Sequence, residues 1–262
     1  MENSKKTPQK NVLISRLIIK NLRFIVGRYN AVVEEVVAGI AQRRGMIVVA
    51  CSMNDVANAS LYPDIGRCYH DVDICTSDGM PLVWWASLCV HRGVDRVYGP
   101  DLMKSVITGT QSSRLKHVFC GSSPPRLTNL VNVLTSIAPK VHIAGVFAPK
   151  LESEETTDEQ SVLEQIIACK PSVLWLGIST PKQVMLAARW KKRLPRTAIV
   201  CVGAAFDQVS GATQRAPGWM QMCGLEWLFR LIIEPRRLYR RYLFVIPRFI
   251  LKEIVVRLQS AV

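Results

Sequence analysis

Asp78 stands in the run Ser77-Asp78-Gly79-Met80-Pro81, between an apolar segment that reads as a strand and the apolar stretch 82–85. Proline suits the first turn of a helix, so the run reads as a strand-to-helix turn. A carboxylate in that place has two uses. It can cap the helix, which is the commoner reason to find one there, or it can take the proton of a substrate hydroxyl as a general base. Two other strand ends carry polar or glycine-rich turns. Gly203-Ala204-Ala205-Phe206-Asp207, with Gly211 beyond, is neither a G-x-G-x-x-G fingerprint nor a Walker loop. Its backbone amides can still cradle a phosphate. Pro181-Lys182-Gln183 reads either as a nucleotide contact or as a solvated loop. Cys68, His70, Asp71 and Asp73 lie close together, but no second pair has zinc-like spacing, and no metal is expected. The eight cysteines form no C-x-x-C pair, and most sit in apolar runs, so they read as buried reduced thiols.

These residues need a scaffold, and the pattern around them supplies one. Short Val/Ile-rich runs recur at 46–50, 72–76, 117–121, 141–146, 172–177 and 198–203, most of them separated by enough chain for a helix. Strands alternating with helices predict a Rossmann-like α/β fold, with a mostly parallel sheet covered on both faces. Ligands of such sheets bind beyond the carboxyl ends of the strands. Ser52 and Asn54, Asp78, Gly121–Ser123, Pro181–Gln183 and Ala204–Asp207 all fall there. Residues 12–45 mix apolar and basic residues up to Gly45 and read as helical. Residues 1–10 read as a disordered tail, 11–228 as the Rossmann-like domain and 229–262 as a C-terminal appendage.

Hydrophobic residues are 49% of the 262 and charged residues 21%, which excludes a disordered chain. The net charge is +14, pointing to an anionic membrane, nucleic acid or a phosphate-rich substrate. The appendage concentrates it: eight cations stand against Glu234 and Glu253, a net +6 over 34 residues, interleaved with Leu, Ile, Phe and Tyr. Such a segment predicts amphipathic helices lying on an anionic membrane surface, divided by Pro235 and Pro247. A nucleic-acid arm carries fewer large aliphatics, so no nucleic-acid partner is expected. The polar start has no apolar signal core, and no apolar run reaches the roughly 18 residues of a span. The expected location is cytoplasmic, peripheral on the inner face of the plasma membrane.

Taken in order, Ser77-Asp78-Gly79-Met80-Pro81-Leu82-Val83, Arg96-Val97-Tyr98-Gly99-Pro100-Asp101-Leu102, Pro181-Lys182-Gln183, Gly203-Ala204-Ala205-Phe206-Asp207 and Arg215-Ala216-Pro217 resemble the WecG/TagA/CpsF glycosyltransferases, glycosyltransferase family 26. Gly224-Leu225-Glu226-Trp227 through Arg230, then Glu234-Pro235-Arg236-Arg237-Leu238, is the most specific block. The resemblance implies an inverting, metal-independent enzyme with a Rossmann-like core and no cofactor. It implies transfer of a sugar from a UDP-sugar donor to a polyprenyl-diphosphate-linked saccharide in polysaccharide biosynthesis.

The resemblance also assigns residues. Asp78 matches the proposed base. Ser52-Met53-Asn54 matches a Thr-x-Asn element that binds the sugar, and Arg96, Gln183 and Asp207 fall in the substrate-binding motifs. Arg230, Arg237 and Arg240 match arginines thought to reach the donor diphosphate when the appendage docks. A departing diphosphate without a metal needs cations, and guanidinium forks fit phosphate oxygens. Arg230 and Arg237 share a face if one helix carries both. Three positions depart from the pattern: Ser52 for Thr, Val184 for Glu after P-K-Q, and Val146 for the tyrosine of G-Y-F. They leave the donor sugar open among glucose, N-acetylmannosamine and a uronic acid. The changes at Val184 and Val146 also motivate an alternative, a catalytically silent partner in a polysaccharide assembly complex. The apolar, basic appendage leaves a homo-oligomer open as well.

Overall fold

The computed structural model describes residues 14–91, 93–149 and 157–259. The tail expected at 1–10 lies outside them. In chain order the strands are β1 Ile14–Ile19, β2 Leu22–Gly27, β3 Ile47–Cys51, β4 Ile74–Ser77, β5 Lys116–Gly121, β6 His142–Phe147, β7 Val173–Gly177 and β8 Ala198–Cys201. The helices of the core are α1 Tyr29–Ala41, α2 Met53–Leu61, α3 Pro63–Cys68, α4 Met80–Val90, α5 Gly99–Thr110, α6 Pro124–Ile137, α7 Thr157–Ala168, α8 Lys182–Lys191 and α9 Ala205–Val209. After them come α10 Gly218–Met222, α11 Glu226–Ile233, α12 Pro235–Arg240 and α13 Ile246–Gln259.

One eight-stranded sheet runs in the order β1-β2-β4-β3-β8-β7-β5-β6, parallel throughout except for β1 against β2. All six predicted strands are present. Successive side chains of a strand point to opposite faces, so each central strand feeds two cores. Val49, Cys51, Leu174, Leu176 and Cys201 pack with α2, α4, α7 and α8 on one face. Val48, Trp175, Phe119 and Val200 pack with α1, α5, α6 and α9 on the other.

The helical reading of 12–45 is corrected. Only 29–41 is helical, and the chain before it forms the β1–β2 hairpin at the sheet edge. Its two-residue turn, Lys20-Asn21, has both residues at positive φ (48° and 67°), the handedness that matches strand twist. The thiol reading holds for Cys51, Cys75, Cys120 and Cys201, which are buried, but Cys89 and Cys223 are exposed.

The appendage packs onto the core. Phe249 of α13 and Leu238 of α12 are buried, and α13 lies against α2. Lys252 Nζ donates to Ser60 O at 2.7 Å, and Glu253 pairs with Lys20 of the hairpin turn at 2.9 Å. Pro235 opens α12, as expected of a proline. Pro247 does not divide the segment as predicted. A π-turn over Arg241–Val245 joins α12 to α13, and its wider hydrogen bonding accommodates a proline one residue into α13. Among the described residues no helix is long and apolar enough to cross a membrane.

Candidate active site

The ends of β3, β4, β7 and β8, adjacent in the sheet, open into one cleft of about 1270 Å³, with α11, α12 and the π-turn across it. Ser52, Asn54, Asp78, Arg96, Gln183, Asp207, Arg230, Arg237 and Arg240 all line it. Residues from 52 to 240 in the chain therefore meet in a single concavity, because parallel strands bring their carboxyl ends to one edge.

Asp78 follows β4 directly, and its N–H donates to Cys51 O at 3.0 Å. It is not the helix cap that residue type favoured. Gly79 occupies that position before α4, and no side-chain cap bond forms. Its carboxylate is 19% exposed and meets Arg96 Nη2 at 3.3 Å, while Arg96 Nε donates to the Asp78 carbonyl oxygen. Arg96 Nη1 reaches further, to Glu226 Oε2 at 2.7 Å. The Tyr98 hydroxyl lies 3.0 Å from Glu226 Oε1, and the Arg96 guanidinium sits 4.0 Å above the Tyr98 ring. Burial pushes the Asp78 carboxyl up; Arg96 pulls it back and Glu226 adds to the rise, leaving it at about 6 against an ordinary 3.8. Burial, with Glu226 and Asp78 adding to it, raises Tyr98 far above the usual phenol range, so it stays a neutral donor. Gly99 opens α5 beside this group; a Cβ there would lie 3.6 Å from Asp78 Oδ2 and 3.2 Å from Val202 O.

Ser52 precedes α2. The Asp55 carboxylate accepts both its N–H (2.9 Å) and its hydroxyl (2.7 Å). The same hydroxyl accepts from Arg241 Nη2 at 2.8 Å, which ties the π-turn to the end of β3. Asn54 is buried in the first turn of α2, its carbonyl accepting from the Asn58 amide. Gln183, 2% exposed, bridges two strand ends: its Oε1 accepts from Gly203 N at 2.9 Å and its Nε2 donates to Thr180 Oγ1 at 3.2 Å. Asp207 accepts from Ser122 Oγ and Arg126 Nη1, both at 3.0 Å, with Arg237 Nη1 at 3.7 Å.

Arg230 and Arg237 do not share one helix. The chain turns at Glu234 (φ −125°, ψ 56°), so Arg230 belongs to α11 and Arg237 and Arg240 to α12, yet all three reach the cleft. The Nε atoms of Arg230 and Arg241 are buried without a hydrogen-bond partner among the described residues. Such orphaned donors on cations suit an anionic ligand.

Sequence reasoning missed Glu226, Tyr98 and Arg241 as site residues. The first two sit inside the motif blocks already singled out, and Arg241 is the second arginine of a pair. The departures from the family pattern now have places. Val184 is fully buried in the core and Val146 is 40% exposed on the edge strand β6, so neither lines the cleft. Of the three, only Ser52 does. Among the described residues no three His, Cys, Asp or Glu side chains gather as a metal site.

A family model described as Glycosyl transferase WecG/TagA/CpsF family matches residues 17–261. The N-acetylglucosaminyldiphosphoundecaprenol N-acetyl-beta-D-mannosaminyltransferase of Bacillus subtilis (strain 168) is 28% identical over 190 residues, 71% of each chain. The protein of the same name from Bacillus spizizenii (strain ATCC 23059 / NRRL B-14472 / W23) is 23% identical over 209 residues, 80% of this chain and 79% of that one.

Proposed function

The chain belongs to the WecG/TagA/CpsF family and is a glycosyltransferase, and from that premise we propose that it transfers a sugar, with inversion, from a UDP-sugar to a polyprenyl-diphosphate-linked saccharide at the inner membrane surface. The observation that carries this reading is the opposition inside one cleft. Asp78, one of four carboxylates that line the cleft and the one that burial holds near 6, shares it with the guanidiniums of Arg230, Arg237, Arg240 and Arg241.

An inverting transfer is one displacement. The acceptor hydroxyl attacks the anomeric carbon, its proton passes to Asp78, and the bond from that carbon to the diphosphate oxygen breaks as UDP leaves. Charge then builds on the diphosphate, and Arg230, Arg237, Arg240 and Arg241 meet it in a partly desolvated cleft. Ser52, Asn54 and Gln183 border the space for the donor sugar. Gln183 and Asp207, already hydrogen-bonded within the protein, act chiefly by holding strand ends and α12 in register.

A prenyl-linked acceptor is reached from the bilayer. The exposed Leu243, Phe244, Ile250 and Leu251 beside Arg240 and Arg248 support docking of this face on an anionic membrane. The relatives' named activity puts UDP-N-acetylmannosamine and an N-acetylglucosaminyl-diphosphoprenol first in a donor and acceptor panel, ahead of UDP-glucose and a UDP-uronic acid. The test is transfer of radiolabel across that panel, with the anomeric configuration of the product read by NMR. Labelled lipid of inverted configuration is the expected result; retained configuration, or no transfer from any donor, overturns the reading.

A further inference from the structure

Glu226 is the first residue of α11, 130 positions along the chain from Arg96, yet it holds the shorter of the two carboxylate contacts that Arg96 makes. We propose that Glu226 is a positioning residue for Asp78: it draws the Arg96 guanidinium toward itself, so that the base is completed only when α11 lies across the cleft. This rests on the transferase reading, and it gives α11 a role beyond supplying Arg230.

Arg96 is fixed at three points: Nε on the Asp78 carbonyl, Nη2 on the Asp78 carboxylate at 3.3 Å, and Nη1 on Glu226 at 2.7 Å. Its flat face rests on the Tyr98 ring. Both Glu226 oxygens are engaged, one by Arg96 and the other by Tyr98. The Arg96, Asp78 and Glu226 side chains are 17%, 19% and 11% exposed, so water screens their mutual fields weakly.

Two carboxylates therefore share one guanidinium. Without Glu226, Arg96 has only Asp78 to neutralise, and a carboxylate in a full ion pair with arginine is a poorer proton acceptor. With Glu226 seated, the cation is divided and the second negative charge opposes ionisation of the first. The other groups facing Asp78 are Arg230 from α11, which favours the carboxylate, the Tyr98 hydroxyl, and the Cys51 thiol at the end of β3. Glu226 and Arg230 both come from α11, and they act in opposite senses.

The seat of α11 is shaped for this. Gly224, two residues before Glu226, has φ +69°, and a Cβ there would stand 2.5 Å from the Trp84 ring of α4. The Tyr98 hydroxyl also faces Gln208 Oε1 of α9, and its one proton serves that oxygen or Glu226 Oε1, so seating Glu226 draws on a donor that the core already positions.

The test uses the full chain with carboxyl-13C aspartate, the Asp78 resonance being assigned by its absence in Asp78→Asn. In Glu226→Gln the titration midpoint of Asp78 falls by about one unit, and the acid limb of kcat/KM falls with it. The plateau rate drops several-fold as the base weakens, while KM for the donor stays unchanged. Glu226→Asp keeps the charge but withdraws it by one methylene, and gives a smaller downward shift. This variant carries the test alone if the glutamine form does not fold. An unmoved midpoint in the folded variants, or equal shifts in both, overturns the proposal. The titration needs no turnover. A moving midpoint without transfer would sink the transferase reading and leave only the coupling of Glu226 to Asp78, and transfer with a fixed midpoint would keep that reading and overturn the proposal.

Discussion

Replacing Asp78 by asparagine should make the protein more stable while removing the proposed base. A carboxyl held at about 6 in the fold but near 3.8 when unfolded binds more protons folded than unfolded between those values. Stability therefore falls as pH rises through that window, and the whole deficit is present above about 6.5. The difference of about 2.2 units corresponds to about 3 kcal/mol at pH 8, and to about 1 kcal/mol at pH 4.5, where most of the native carboxyl is protonated. Asparagine keeps a carbonyl acceptor for Arg96, and Arg96 keeps Glu226, so no cation is orphaned. Urea unfolding of wild type and Asp78→Asn, followed by tryptophan fluorescence at both pH values, measures the difference. The expected variant is more stable by about 3 kcal/mol at pH 8, with that gain shrinking by about 2 kcal/mol at pH 4.5. A variant less stable than wild type at pH 8, or a gain independent of pH, refutes the electrostatic account of Asp78.

Three further outcomes follow from the same geometry. Arg230→Ala and Arg237→Ala each lower kcat/KM by about 10²-fold and weaken UDP binding in calorimetry, because each removes a cation from the leaving diphosphate. Gly224→Ala forces a side chain at positive φ into Trp84 and lowers the urea midpoint by the equivalent of about 2–3 kcal/mol at constant slope. Serine at Leu243, Phe244 and Leu251 together, which are 58%, 63% and 63% exposed, abolishes sedimentation with anionic vesicles while leaving the unfolding transition in place.

The sheet was legible because its central strands are buried on both faces and so read as unbroken apolar runs. The β1–β2 hairpin was not. Its edge strand alternates half-buried and exposed residues, and its turn carries Lys20-Asn21 in place of the glycine that usually marks such a turn. Pro247 misled for a different reason: a proline that would break a regular helix is tolerated where a π-turn precedes it, and residue type does not announce that turn. The motifs taken in order, through the family they resemble, pointed to Asp78 and the arginines, but they left Glu226 silent. Its contacts span 130 residues to Arg96 and 128 to Tyr98, a pairing that only the closed cleft creates.

The central claim is that Asp78 is the base in a cleft whose donor site is built separately, from the arginines of the appendage. The measurement is single-turnover sugar transfer and UDP-sugar affinity on the same preparations of wild type and Asp78→Asn, once the donor is named. The account predicts a donor Kd within about twofold of wild type and transfer slowed by 10²-fold or more, about the size of a general-base contribution. Equal transfer rates, or a loss of rate fully explained by lost donor binding, would contradict it.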